Sequence, residues 1–95
     1  MYAVPTYYRR KQVRRITIGE AVRRRSVELY RERGISINNL CNRSGVTQST
    51  VNNIVSGRNN STTVATVKKL CDGLGITIVK FFQSDLFLEL EQEIR

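Results

Sequence analysis

The stretch Ile35-Ser36-Ile37-Asn38-Asn39-Leu40-Cys41-Asn42-Arg43-Ser44-Gly45-Val46-Thr47-Gln48-Ser49-Thr50-Val51-Asn52-Asn53-Ile54-Val55-Ser56-Gly57 reads as two short helices joined by a tight turn. Ser36 is placed to cap the first, because a serine hydroxyl accepts from the free N–H groups of a first helical turn. Ile37, Leu40 and Cys41 then recur on one side at helical spacing. Gly45 stands where the chain must turn sharply, and glycine takes a positive φ there at little cost. Thr47 caps the second helix, expected over 47–55, whose buried side is Val51, Ile54 and Val55. Gly57 follows as the residue that closes it.

The outward side of this second helix carries Gln48, Ser49, Thr50, Asn52 and Asn53, none of them charged. A face that only meets water favours Glu and Lys, which are better helix formers than Ser, Thr or Asn. Amides and hydroxyls cost helix stability, but they can read base edges in a DNA groove. The composition is that of a recognition helix.

At this point the chain resembles the phage repressor/Cro-like (XRE-type) family of helix-turn-helix transcriptional regulators. Leu40, the small Cys41, Ser44-Gly45-Val46-Thr47-Gln48-Ser49-Thr50-Val51 and Ile54 carry the likeness. It continues through Ser56-Gly57-Arg58-Asn59 into Thr66-Val67-Lys68-Lys69-Leu70-Cys71-Asp72-Gly73-Leu74-Gly75-Ile76-Thr77, and covers about residues 18–82. The resemblance implies an all-α fold: a compact five-helix bundle that places the second of the two helices in the major groove of double-stranded DNA. Gln48, Ser49, Asn52 and Asn53 are then the expected base readers. Asn38, Arg43, Thr47, Thr50, Arg58, Asn59 and Asn60 are expected on the DNA backbone, where contacts position the duplex without reading it. Members of the family often place a glutamine just after the first cap; this chain has Ile37, and Asn38 is expected to take that contact. A homodimer on two half-sites is implied, because a single unit of this size buries little surface on DNA.

Charge agrees with such a partner. The 95 residues carry a formal charge of +8 and a sequence pI near 10.2, the footprint expected for a polyanion-binding protein. Ten Lys and Arg against three Glu lie in residues 1–33, whereas residues 84–95 hold four acids and one Arg. Three parts are expected: a basic arm over 1–15, the helix-turn-helix domain over 16–83, and an acidic amphipathic tail over 84–95. The arm, with Arg9, Arg10, Lys11, Arg14 and Arg15 and no acid, has no helical period and is expected to be disordered in the free protein. It either lies along phosphates or in the minor groove, or is a solvated tail or an upstream extension.

Thr17 and Glu20 have the spacing of a capping box for a helix over 17–33, with Ile18, Val22, Ser26, Leu29 and Arg33 on one face and Ser26 its weak spot. Arg23, Arg24 and Arg25 read either as a nucleic-acid patch or as a solvated run in which Arg24 pairs with Glu28. Thr62 or Thr63 caps the next helix, where Val64, Val67, Leu70, Cys71 and Leu74 form a core stripe. Thr77 caps a short fifth helix with Phe81 and Phe82. From Ser84 the spacing Leu86, Leu90, Ile94 predicts a final short helix, and with Phe87 it forms an apolar strip for a dimer contact or for folding back on the domain.

Cys41 and Cys71 lie on apolar helical faces, where free cysteine acts as a small hydrophobe. No secretory signal and no membrane-length apolar run is visible, which makes a cytoplasmic protein the default. With no His, no clustered Cys and no nucleophile–base pair, no metal, cofactor, small-molecule ligand or catalytic site is expected. Within the DNA-binding class the expectation is a repressor, with an antitoxin-type autoregulator as its rival. Outside that class stands a protein-interaction module built on the same bundle.

Overall fold

A computed structural model describes residues 15–57 and 61–94. Among the described residues the fold is all-α, with five α-helices: α1 (Ile18–Glu32), α2 (Ile37–Ser44), α3 (Gln48–Val55), α4 (Val64–Leu74) and α5 (Ile78–Phe82). Each starts at a Ser or Thr: Thr17, Ser36, Thr47, Thr63 and Thr77. In every case the hydroxyl oxygen accepts from the backbone N–H three residues on, which satisfies one of the four donors that a helix start leaves free. Of the two candidates before α4, Thr63 is the cap.

The core is built from Val22, Leu29, Leu40, Cys41, Val51, Ile54, Val67, Leu70, Cys71, Leu74 and Phe81. Val64 does not belong to it and is 71% exposed, because the first residue of α4 projects past the edge of the bundle. Cys41 and Cys71 are buried and free, and burial raises the pKa of both thiols. Ser26 is fully buried without penalty, since its hydroxyl donates to Val22 O at 2.8 Å. The most extensive pairing is α2 on α4, and it closes over Gly73, the one helical position with no side chain to hold the two apart.

One buried arginine of α1 and the exposed arginine that ends it tie this helix to the bundle. Arg25, 8% exposed, donates from Nε to Phe81 O at 2.7 Å and from Nη2 to Lys80 O at 2.9 Å, while Nη1 pairs with Glu28. Arg33 donates from Nε to Leu74 O at 3.0 Å. These carbonyls lie in the last turns of α5 and α4, where a helix leaves acceptors unpaired; Lys80 O also accepts from Gln83 N at 3.2 Å. Arg24 pairs with Glu20 at 2.7 Å and not with the expected Glu28. Glu preceding Arg by four residues is the better orientation against the helix dipole. The capping box is therefore half made: Thr17 accepts from Glu20 N, but the Glu20 carboxylate goes to Arg23 and Arg24.

The tail departs from the expected helical run. A single 3-10 turn, Asp85–Phe87, is capped by Ser84, and its Phe87 ring meets Phe82 edge-on and lies tilted to Phe81, with centroids at 4.9 and 6.2 Å. Past it Leu90 forms a parallel β-bridge with Ile16, through Ile16 N donating to Glu89 O (3.4 Å) and Glu91 N donating to Ile16 O (2.8 Å). A spacing of four residues is also an even spacing. From Leu88 to Ile94 apolar Leu88, Leu90 and Ile94 alternate with Glu89, Glu91 and Glu93, which is a strand pattern.

Candidate nucleic-acid interface

Helices α2 and α3 meet at Gly45, which adopts φ 67° and ψ 25° and donates its N–H to Cys41 O at 2.9 Å. A β-carbon is disfavoured in that left-handed geometry, so the turn is tight only because the residue is glycine. Val46 packs on the core beside it. Thr47 then caps α3: its hydroxyl accepts from Thr50 N at 3.2 Å and shares a hydrogen bond with the Thr50 hydroxyl at 2.8 Å. Val51 and Ile54 bury one side of α3 to 1% and 2% exposure. They set the rotation of the helix, and with it the side that solvent sees.

That side holds Gln48, Ser49, Asn52 and Ser56, which fall within an arc of roughly 100° at 3.6 residues per turn. Asn53, expected among the base readers, is half-buried on the flank. Thr50 is half-buried too and engaged with Thr47. Asn38 and Arg43 are exposed on α2, while Ile37 turns inward against the core. Asn38, not Ile37, is thus the solvent-facing residue of the first turn. Arg58, Asn59 and Asn60 lie outside the described residues, as do Arg9, Arg10, Lys11 and Arg14. Arg15 is exposed, with Nε 3.9 Å from Glu89 Oε2. Of the tail strip, Phe87 packs on the core of its own chain, Leu86 and Leu90 are half-buried, and Ile94 is 79% exposed.

Between Glu32 and Asp72 the sequence has no carboxylate, so nothing acidic on this stretch opposes a phosphate. Lys68 of α4 pairs with Asp72 at its border, and Glu20 of α1 is held by Arg23 and Arg24. Arg23 donates to both of its oxygens at 2.9 and 2.7 Å, and Arg24 to one of them at 2.7 Å. The Arg23 hydrogen bonds, followed by the Arg24 one, hold the Glu20 carboxyl down at about 2, so it stays ionised at neutral pH. Arg23 also reaches the end of α3: a β-carbon added at Gly57 would meet its Cδ at 3.6 Å. Sequence reasoning had no reason to single out Arg23 for this place. The Glu20-x-x-Arg23-Arg24 spacing signals the ion pairs but not the contact with Gly57, which is 34 positions further along the chain.

The profile of the Helix-turn-helix family matches residues 27–81. Among solved structures, prophage Lp1 protein 11 is 35% identical with a TM-score of 0.69, over 79% of this chain and 99% of that one. A point mutant of the restriction-modification controller protein C.Esp1396I is 17% identical with a TM-score of 0.67, over 74% of this chain and 87% of that one. No curated protein sequence matches.

Proposed function

Because the chain belongs to the helix-turn-helix family, the fold of DNA-binding transcriptional regulators, we propose that it is a sequence-specific repressor that reads the major groove with α3. The observation that carries the reading is the uncharged donor–acceptor face of Gln48, Ser49 and Asn52, turned to solvent by the burial of Val51 and Ile54. Helix α3 enters the groove N-terminus first while α2 crosses the backbone. Gln48 is the leading reader, with the geometry to bond an adenine through two hydrogen bonds, and Ser49, Asn52 and Asn53 read beside it. Asn38, Arg43, Thr47 and Thr50, with Arg58, Asn59 and Asn60, position the duplex. Residues 9–15 add salt-sensitive affinity for phosphates.

The regulator works in the cytoplasm as a homodimer on half-sites about one helical turn apart, roughly 34–36 Å. Val79, Phe82, Leu88 and Ile94 are the exposed large apolar side chains of α5 and the tail, and they offer the surface a second copy would cover. No helix among the described residues is long and apolar enough to cross a membrane.

The test is selection of the full chain on random duplexes at two salt concentrations, with sequencing of what is bound. A two-fold symmetric site should be enriched. Gln48→Ala should then bring the affinity for that site towards the affinity for random DNA, a loss of about 1–3 kcal/mol of discrimination. Equal losses on both sequences would remove Gln48 from base reading. Enrichment of nothing would leave only a basic chain adhering to phosphates.

A further inference from the structure

We infer that Arg23 of α1 contacts a DNA phosphate next to the C-terminal end of α3, as a third element of the interface beside α2 and α3; this rests on the DNA-binding reading above. Three features of the site support it. The first is place. Arg23 lays its stem beside Gly57, two residues past the end of α3, close enough that a β-carbon there would meet its Cδ at 3.6 Å. The second is donor supply. A guanidinium carries five N–H donors, and Arg23 gives one from Nε and one from Nη2 to Glu20. The remaining donors, including both on Nη1, are free of any other described residue. The third is charge. One carboxylate serves both Arg23 and Arg24, so the cluster of three keeps a net positive charge at neutral pH.

Glu20 has a defined part in this arrangement. The two-point grip fixes the guanidinium plane, so the side chain meets the phosphate with little ordering left to do. Arg23 is 30% exposed at its side chain, less than Arg24 at 49%, as expected for a group laid along the protein and not waving in solvent. The bland alternative is a helix-surface ion pair worth a few tenths of a kcal/mol. It accounts for the bonds to Glu20 but makes no use of the place beside Gly57.

The two readings separate on salt dependence. Binding of the full chain to its selected duplex and to a scrambled duplex is measured over a salt series for wild type, Arg23→Gln, Arg23→Lys and Arg31→Gln. Arg31 is an exposed arginine at the far end of the same helix. Each phosphate contact contributes about 0.9 to the slope of log K against log salt on B-form DNA. Arg23→Gln should therefore reduce the slope by about 0.9 per bound chain, equally on both duplexes, and leave discrimination intact. Arg23→Lys keeps the cation while losing the two-point grip on Glu20, and should retain the slope. Arg31→Gln should behave as wild type. A selective wild type whose slope is untouched by Arg23→Gln overturns the inference alone, as does a slope that falls equally in the Lys variant. A wild type with no salt-dependent binding to either duplex overturns both this inference and the function on which it rests.

Discussion

Ser44 and Gly73 meet where α2 crosses α4, and there is no room between them for a methyl group. A β-carbon at Gly73 would stand 2.1 Å from Ser44 Oγ and 3.0–3.1 Å from the Ser44 N and Cα. Replacing a helix-interior glycine by alanine ordinarily gains up to about 1 kcal/mol, whereas overpacking a core costs about 1–3 kcal/mol. Backbone atoms cannot step aside by changing rotamer, so the loss should win. Gly73→Ala is expected to lower the melting temperature, by roughly 4–8 °C for each kcal/mol in a domain of this size. Ser44→Ala should be close to neutral, since the buried Oγ has no hydrogen-bond partner among the described residues. Removing an unpaired buried hydroxyl forfeits no bond. Thermal unfolding of both variants checks the pair, and a stabilised Gly73→Ala would mean the helices are not that close. Nothing in the sequence marks Gly73 for this role, because a glycine inside a helical pattern reads only as a weak point.

Among the elements, the starts of helices and the glycines that close them were legible, and the arginines that reach helix ends from afar were not. Five Ser or Thr residues stand at the five starts because the bond they make is local, three residues long. At the ends of α4 and α5, Arg33 and Arg25 add side-chain donors to the local backbone caps, from positions 41 and 55–56 residues away. A run of arginines in a basic chain therefore reads as surface charge, although one of the three at 23–25 is interior. The expected result for Arg25→Met is a loss of about 1.5–3 kcal/mol, the value of hydrogen bonds from a charged donor, since Phe81 O loses its partner while Lys80 O keeps the Gln83 N–H. The protection of the α5 amides in hydrogen exchange should fall further than that of α2. Uniform loss across both helices would mean that Arg25 supports the whole core and not the end of α5. Helix α3 was the most legible element, as its cap, buried side and polar side all sit within nine residues. Asn53 was misjudged in its exposure because a periodic reading fixes a face but not where that face ends against α1.

At the scale of the whole molecule, a chain of formal charge +8 spends part of that charge on itself. Arg25 and Arg33 hold carbonyls, Arg15 faces Glu89, and Arg23 and Arg24 share Glu20. Net charge alone thus overstates what is available to a polyanion. The tail was misread because its acids and leucines fit two periods, and the choice depended on Ile16, 74 positions earlier in the chain. Ending the chain after Leu88 removes the Arg15–Glu89 pair and both bridge hydrogen bonds. The pair is partly exposed and worth about 0.2–1 kcal/mol, and the bonds about 0.5–1.5 kcal/mol each, so a loss of about 1–4 kcal/mol is expected. Chemical denaturation should show the midpoint lowered with the transition still cooperative. A broad, non-cooperative transition would mean that the tail is part of the core. The bridge is also a mechanical joint. Because Ile16 and Leu90 run parallel, Arg15 leaves the seam in one direction and Glu91–Ile94 leave it in the other. Tension applied between the two would load the hydrogen bonds in shear, so that both must break together and not one after the other.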